Sequence, residues 1–292
     1  MTSPTLLLIH GLGATNGVWA DLLDELDWPG QVINAELPGH GKAGAQQDYT
    51  VGAMASAVGG QCKNGEPVVA VGHSLGGAVA LCLASNFFRP VVTATVGIGI
   101  KLAWTDADVE AMAKVSAKGV RWFATRDEAV ERFLLQSGLR GVAGGDHLAV
   151  TNAVTEVGGQ WRVAQDPDTF AQRPVDAASL VNAAVRPVIL GAGELDAMVT
   201  YADMAACVGE PRIAAGCGHN VQVENPTWVA SLINEAVNQR APTPGWCPPS
   251  NYSPIQRTGC SLTSQPSVTR KPPDDANRIY HRRVRPRRQL PS

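Results

Sequence analysis

Val68-Val69-Ala70-Val71-Gly72-His73-Ser74-Leu75-Gly76-Gly77-Ala78-Val79-Ala80-Leu81 decides how the chain is read. A short β-branched run stops at a glycine, a serine stands in the middle of Gly-His-Ser-Leu-Gly, and an alanine- and leucine-rich helical pattern follows. A serine on so tight a strand-to-helix turn leaves no room for a Cβ two positions before or two positions after it. Gly72 and Gly76 supply that room. The strained turn holds the hydroxyl clear of the backbone, above a helix whose first N–H groups point toward whatever sits over it. Ser74 is therefore the candidate nucleophile.

Working outward, Thr5 to Ile9 is a fully apolar run followed at once by His10-Gly11-Leu12-Gly13, the pattern of a parallel strand buried on both faces. Gln31 to Ala35, Val91 to Ile98, the run Arg186-Pro187-Val188-Ile189-Leu190-Gly191 and Pro211 to Ala215 supply further strands. Between and after them, Asn16 to Leu26, Tyr49 to Val58 and Pro226 to Gln239 show helical spacing. In the first helix Trp19 falls with Leu22, Leu23 and Leu26 on one face and reads as core. His10 reads as a turn histidine bonding to neighbouring backbone.

Four separated motifs in this order resemble the α/β-hydrolase fold superfamily, from about Thr5 to about Val237: the His10-Gly11 loop, the Ser74 turn, Gly193-Glu194-Leu195-Asp196, and Gly216-Cys217-Gly218-His219. The resemblance implies an α/β fold, a mostly parallel sheet flanked by helices with a helical cap inserted. Only four residues precede the first strand, so about six parallel strands are expected rather than eight. It also implies roles. Asp196 takes the family's acid position ahead of Glu194, and His219, 23 residues further on, takes that of the general base ahead of His147. The backbone N–H groups of Leu12 and Leu75 would form the oxyanion hole. Leu37-Pro38-Gly39-His40-Gly41 matches the loop after the second strand. Its departures at Glu36 and Ala43 bear on loop packing and not on chemistry.

The expected organisation is a first half of the core over 1–101, a helical cap over 102–185, a second half over 186–240, and a tail over 241–292. Trp104, Trp122, Phe123, Phe133, Trp161 and Phe170 fall in the cap, where they read as its own core. A sharper expectation is that Trp104, Trp122 and Trp161 line an apolar pocket over Ser74. The tail carries ten of the chain's twenty prolines and an Arg-rich end, with no apolar periodicity, so it is expected to be disordered and dispensable.

Charge follows the same division. Residues 1–240 hold 15 Lys and Arg against 24 Asp and Glu, while 241–292 hold 9 against 2, so only the tail could attract nucleic acid, a role taken as unlikely. The six cysteines show no paired or metal-type spacing, which points to reduced thiols and a cytoplasmic protein. The start, Met-Thr-Ser-Pro-Thr, lacks a basic leader region, and no apolar run has the length of a membrane span.

No His-Glu-x-x-His, Cys-His cluster or dinucleotide fingerprint is present, so no metal or cofactor is expected and the partner is a small-molecule substrate. Serine rather than aspartate on the turn argues against the dehalogenase and epoxide-hydrolase members of the resembled family. The reading that remains is a serine hydrolase cleaving a small apolar or aromatic ester or carbamate through an acyl-enzyme. A carbon–carbon bond hydrolase, a lactonase, an amidase and a non-catalytic ligand-binding protein of the same fold stay open.

Overall fold

The computed structural model describes residues 3–239, apart from 86, 89, 173, 185 and 186. The tail and its expected disorder lie outside the described residues. Strand β1 (Thr5–Ile9) leads into a 3-10 turn over Asn16–Trp19 and helix α1 (Ala20–Glu25), then strand β2 (Val32–Ala35) and helix α2 (Val51–Gly59). Strand β3 (Pro67–His73), helix α3 (Leu75–Leu83) and strand β4 (Val91–Ile98) complete the first half.

The inserted segment holds helix α4 (Asp106–Ala117), helix α5 (Arg126–Gln136), strands β5 (Val154–Val157) and β6 (Gln160–Val163), a 3-10 turn over Pro167–Ala171, and helix α6 (Ala177–Ala183). The chain then returns through strand β7 (Val188–Gly193), helix α7 (Tyr201–Val208), strand β8 (Arg212–Ala214), helix α8 (Val221–Glu224) and helix α9 (Pro226–Asn238).

Six strands form one parallel sheet in the order β2-β1-β3-β4-β7-β8, as the sequence led us to expect. Side chains alternate between its faces because the strand period is two. Leu6, Leu8, Val69 and Val71 pack with Trp19, Leu22 and α9 residues Val229 and Ile233, whereas Leu7, Ile9, Val68 and Ala70 pack with Met54, Val58, Val79 and Leu83 from α2 and α3. Trp19 is fully buried, as core.

The inserted segment is not purely helical. Val154-Thr155-Glu156-Val157 and Gln160-Trp161-Arg162-Val163 pair as an antiparallel hairpin. Gly158 and Gly159 both have positive φ, the backbone of a tight two-residue turn that only such residues adopt readily. This corrects the expectation of a cap without strands. Helices α4 and α5 each begin with a capping box, Thr105 with Asp108 and Thr125 with Glu128. Phe133 and Leu134 of α5 bury into the same cluster as Trp19, so the inserted segment is rooted in the main core.

Strands β1 and β3 lie side by side, yet the connections leaving them run to opposite edges of the sheet. Such a reversal opens a crevice beyond the carboxyl ends of the two strands, where ligands of open α/β sheets bind. Both the His10–Gly13 loop and Ser74 emerge there.

Candidate active site

Ser74 has φ 51° and ψ −117°, a left-handed conformation uncommon for a residue with a side chain. Its N–H donates to Ile98 O at 2.8 Å, and its carbonyl accepts from Gly77 and Ala78 at the start of α3. Ser74 holds the N-cap position, but its side chain caps nothing, which leaves the hydroxyl turned away from the helix. The two glycines prove indispensable to this bend. A Cβ on Gly72 would stand 2.1 Å from Gly76 O, and one on Gly76 would stand 2.2 Å from Ile9 O.

Asp196 ends the Gly193–Asp196 loop after β7. Its carboxylate is buried, and Oδ2 lies 2.7 Å from His219 Nδ1 while Oδ1 accepts the Met198 N–H at 2.9 Å. The side chain of Asp196 is 1% exposed and that of His219 is 18%, so the pair presents imidazole to solvent and hides the carboxylate behind it. Glu194 points elsewhere and accepts the Gly216 N–H at 2.8 Å. His147 is distant too: it caps the 3-10 turn over Leu148–Val150 and meets Asp21 at 3.2 Å. Ser74 Oγ makes no hydrogen bond among the described residues. Bonds of this kind commonly tighten only when a substrate is bound.

The His219 loop is pinned from three sides. Glu224 accepts the N–H groups of Gly218 at 2.6 Å and Asn220 at 3.0 Å, and the Asn220 amide donates to the carbonyls of Ser137 and Gly138 in the inserted segment. From below, His73 Nε2–H donates to His219 O at 2.9 Å, with the two rings 4.6 Å apart. Burial first, and the neighbouring His219 second, hold the His73 pKa well below the ordinary histidine range. None of these roles was read from the sequence. His73 stands inside the deciding motif without a pattern of its own, and Glu224 lies just ahead of the last helix.

On the opposite side of Ser74, His10 supports the loop that carries Leu12. Its Nε2 accepts the Leu37 N–H at 3.0 Å, which places the ring proton on Nδ1, 2.9 Å from Gly11 O. Glu36 Oε1 lies 3.2 Å from the same Nε2. Glu36 itself accepts the Asn16 N–H at 2.8 Å, so the departure from the resembled family's pattern indeed serves loop packing. Leu12 and Leu75 both line the cavity at Ser74, and neither N–H has a backbone partner among the described residues.

The profile of the alpha/beta hydrolase family matches residues 6–232. The chain belongs to that family. Among solved structures, this alpha/beta hydrolase is similar to E-2-(acetamidomethylene)succinate hydrolase, with a TM-score of 0.68 and 19% identity over 80% of this chain and 91% of that one. An esterase of Mycobacterium tuberculosis gives 0.63 and 20% over 81% and 86%. Identities this low speak for the fold alone.

The curated relatives align over shorter stretches. The magnesium-chelatase 30 kDa subunit of Rhodobacter capsulatus is 33% identical over 44% of this chain and 46% of its own length. A pimeloyl-(acyl-carrier protein) methyl ester esterase of Neisseria meningitidis serogroup A is 44% identical over 27% and 25%. This alpha/beta hydrolase thus spans less than half the length of these two.

A cavity of about 70 Å³ opens beside Ser74, walled mainly by apolar side chains that include Val51, Ile100, Trp104, Met112 and Val175. Trp104 is the one tryptophan of the three expected there. Trp122 instead lies beneath the Arg162 guanidinium on a separate depression, and Trp161 is held in the β5–β6 hairpin, its backbone paired with Phe123. The hairpin that the sequence reading overlooked is what draws both away. Among the described residues no His, Cys, Asp and Glu cluster could hold a metal ion, and no helix is long and apolar enough to cross a membrane.

Proposed function

We propose that this alpha/beta hydrolase is a serine hydrolase that cleaves a small ester through an acyl-enzyme. The observation that carries the reading is the 2.7 Å contact of Asp196 with His219 Nδ1, joined through His73 to a serine strained into the left-handed region. The carboxylate orients the ring and stabilises it as a cation, leaving Nε2 free to take the Ser74 proton. The Ser74 oxygen then bonds to the substrate carbonyl carbon, and the N–H groups of Leu12 and Leu75 receive the negative charge on the carbonyl oxygen.

Collapse of this intermediate breaks the bond to the leaving oxygen, which takes its proton from His219. Water attacks the acyl-Ser74 ester in the second half, giving a proton to His219, and the acid departs as Ser74 is restored. The cavity supports a short apolar group next to the scissile bond, since about 70 Å³ holds only a few carbon-sized atoms, with Trp104 offering an aromatic wall.

Labelling with a fluorophosphonate tests the reading. The native chain should take up the probe and Ser74→Ala should not. Labelling that persists in Ser74→Ala, or ester turnover undiminished in it, would rule the mechanism out.

A further inference from the structure

A second cavity, of about 320 Å³, lies in the inserted segment and differs in kind from the one at Ser74. Lys118, Arg121 and Arg132 line it, no Asp or Glu among the described residues does, and Gln136 and Gln165 add amides. Among the described residues none of these three cations forms an ion pair or a hydrogen bond to a carboxylate. The two acids that flank the lining residue Pro167 are engaged elsewhere. Asp166 accepts the Tyr49 hydroxyl at 2.6 Å, and Asp168 accepts Ser116 Oγ at 3.4 Å. Three like charges around one hollow give it a positive potential that favours an anion.

The hollow adjoins the site at Ser74. Met112 of α4 lines the small cavity and Val115, one turn further along the same face, lines the large one. Phe170 and Gln172, two residues apart, divide between them in the same way. A hydrogen-bonded chain also joins the floor of the large cavity to the candidate oxyanion loop: the Gln136 amide donates to Gln165 Oε1, Gln165 Nε2 lies 3.3 Å from His40 Nε2, and that nitrogen accepts the Gly13 N–H at 3.2 Å.

We propose that the cavity lined by Lys118, Arg121 and Arg132 binds an oxyanionic end of the substrate, a carboxylate or a phosphate, whose ester group lies at Ser74. The inference rests on the serine-hydrolase reading for the word substrate, but the anion site itself can be tested without turnover. Guanidinium groups bind either oxyanion through paired N–H donors, so the chemistry is shared and the source is an experimental question.

Two substrate series distinguish the sources. Monomethyl succinate, glutarate and adipate are compared with methyl esters of neutral acids of equal length, and the acetyl ester of a phosphorylated alcohol with that of the free alcohol. The native chain should prefer the charged member of at least one series. That preference, read as a ratio of kcat/KM values, should fall about tenfold or more in Arg121→Gln/Arg132→Gln and return in large part in Arg121→Lys/Arg132→Lys. A variant that had merely lost structure would lower both members together and leave the ratio standing, a result that would overturn the proposal, as would no preference in either series.

Calorimetry with adipate and with inorganic phosphate on Ser74→Ala reads the cavity alone. Binding by either, abolished by the two glutamines, supports the site even if the serine chemistry fails. No binding by both anions counts against it even if that chemistry holds.

Discussion

The carbonyl oxygen of His219 accepts a hydrogen bond from His73 Nε2–H at 2.9 Å, so the candidate base is held by the residue next to the candidate nucleophile. Ring sits beside ring, 4.6 Å between centroids, and the inner one is fully buried. A proton on His73 would put two cations in contact when His219 takes up the serine proton. Burial prevents this by keeping His73 neutral.

Replacing His73 by leucine removes that support while filling similar space. The His219 loop keeps its bonds to Glu224 but loses its inner anchor, so kcat on a simple ester should fall by roughly ten- to a hundredfold, the cost of about 1.4–2.7 kcal/mol in transition-state positioning. Steady-state kinetics and the rate of fluorophosphonate labelling should fall together. Unchanged rates would show that His219 needs no support from beneath.

Asp196→Asn should lower kcat by about 10⁴, because an amide favours the wrong tautomer of the histidine it faces. Glu194→Gln should stay within a few-fold of the native value, since Glu194 bonds only to Gly216 N–H. Equal losses in the two variants would shift the acid role away from Asp196.

Trp104→Ala should lower kcat/KM for an apolar ester by about three- to tenfold through lost apolar contact at Ser74. Trp122→Ala and Trp161→Ala should change it by less than about twofold, because each faces a different depression. A ranking by kcat/KM of all three variants on one ester decides the matter.

Stability should depend on pH through two buried histidines. His40 is pushed down to about 3 by burial and by His10 beside it, and His73 is pushed down by burial and His219. Both are neutral in the folded chain near pH 6, whereas the unfolded chain protonates them below about 6.5. The unfolded state therefore binds more protons, so the stability these neutral rings retain is complete above that pH and is lost as pH falls toward the folded values. Between pH 6.5 and 5 the slope should approach about 1.4 kcal/mol per pH unit for each histidine. Urea midpoints at three pH values measure it, and His40→Gln should remove about half of the dependence.

Gly76→Ala would set a methyl group 2.2 Å from Ile9 O and 2.4 Å from His10 O, both of them backbone atoms that cannot swing aside. Destabilisation of about 3 kcal/mol or more is expected, visible as a lowered thermal midpoint. An alanine variant of native stability would mean that the bend at Ser74 is looser than these contacts allow.

The sheet and the bend at the candidate nucleophile were legible because each carries a local signature. Thr5–Ile9 reads as a doubly buried strand from five residues alone, and Gly72 with Gly76 announces the bend around Ser74. The pairing of Asp196 with His219 came through the resemblance rather than from spacing, since an isolated loop aspartate has no distinctive pattern. The β5–β6 hairpin was missed although Gly158-Gly159 was a usable turn signal. Its strands are four residues long, half-exposed and charged, so no apolar alternation marks them. Lys118, Arg121 and Arg132 could not have been grouped beforehand, because α5 brings Arg132 back across a loop and only the folded chain makes them neighbours.

The contact of Gly76 with the carbonyls of Ile9 and His10 means that main chain touches main chain where α3 meets the end of β1. That contact fixes how closely the loop carrying Leu12 approaches the start of α3, and side chains reach the same loop as well, His10 directly and the inserted segment through Gln165 and His40. Exchanging the inserted segment for a foreign one should therefore change which molecules are accepted and also loosen the reacting frame, because Asn220 and His40 both lean on it. Selectivity and reactivity in this chain are coupled.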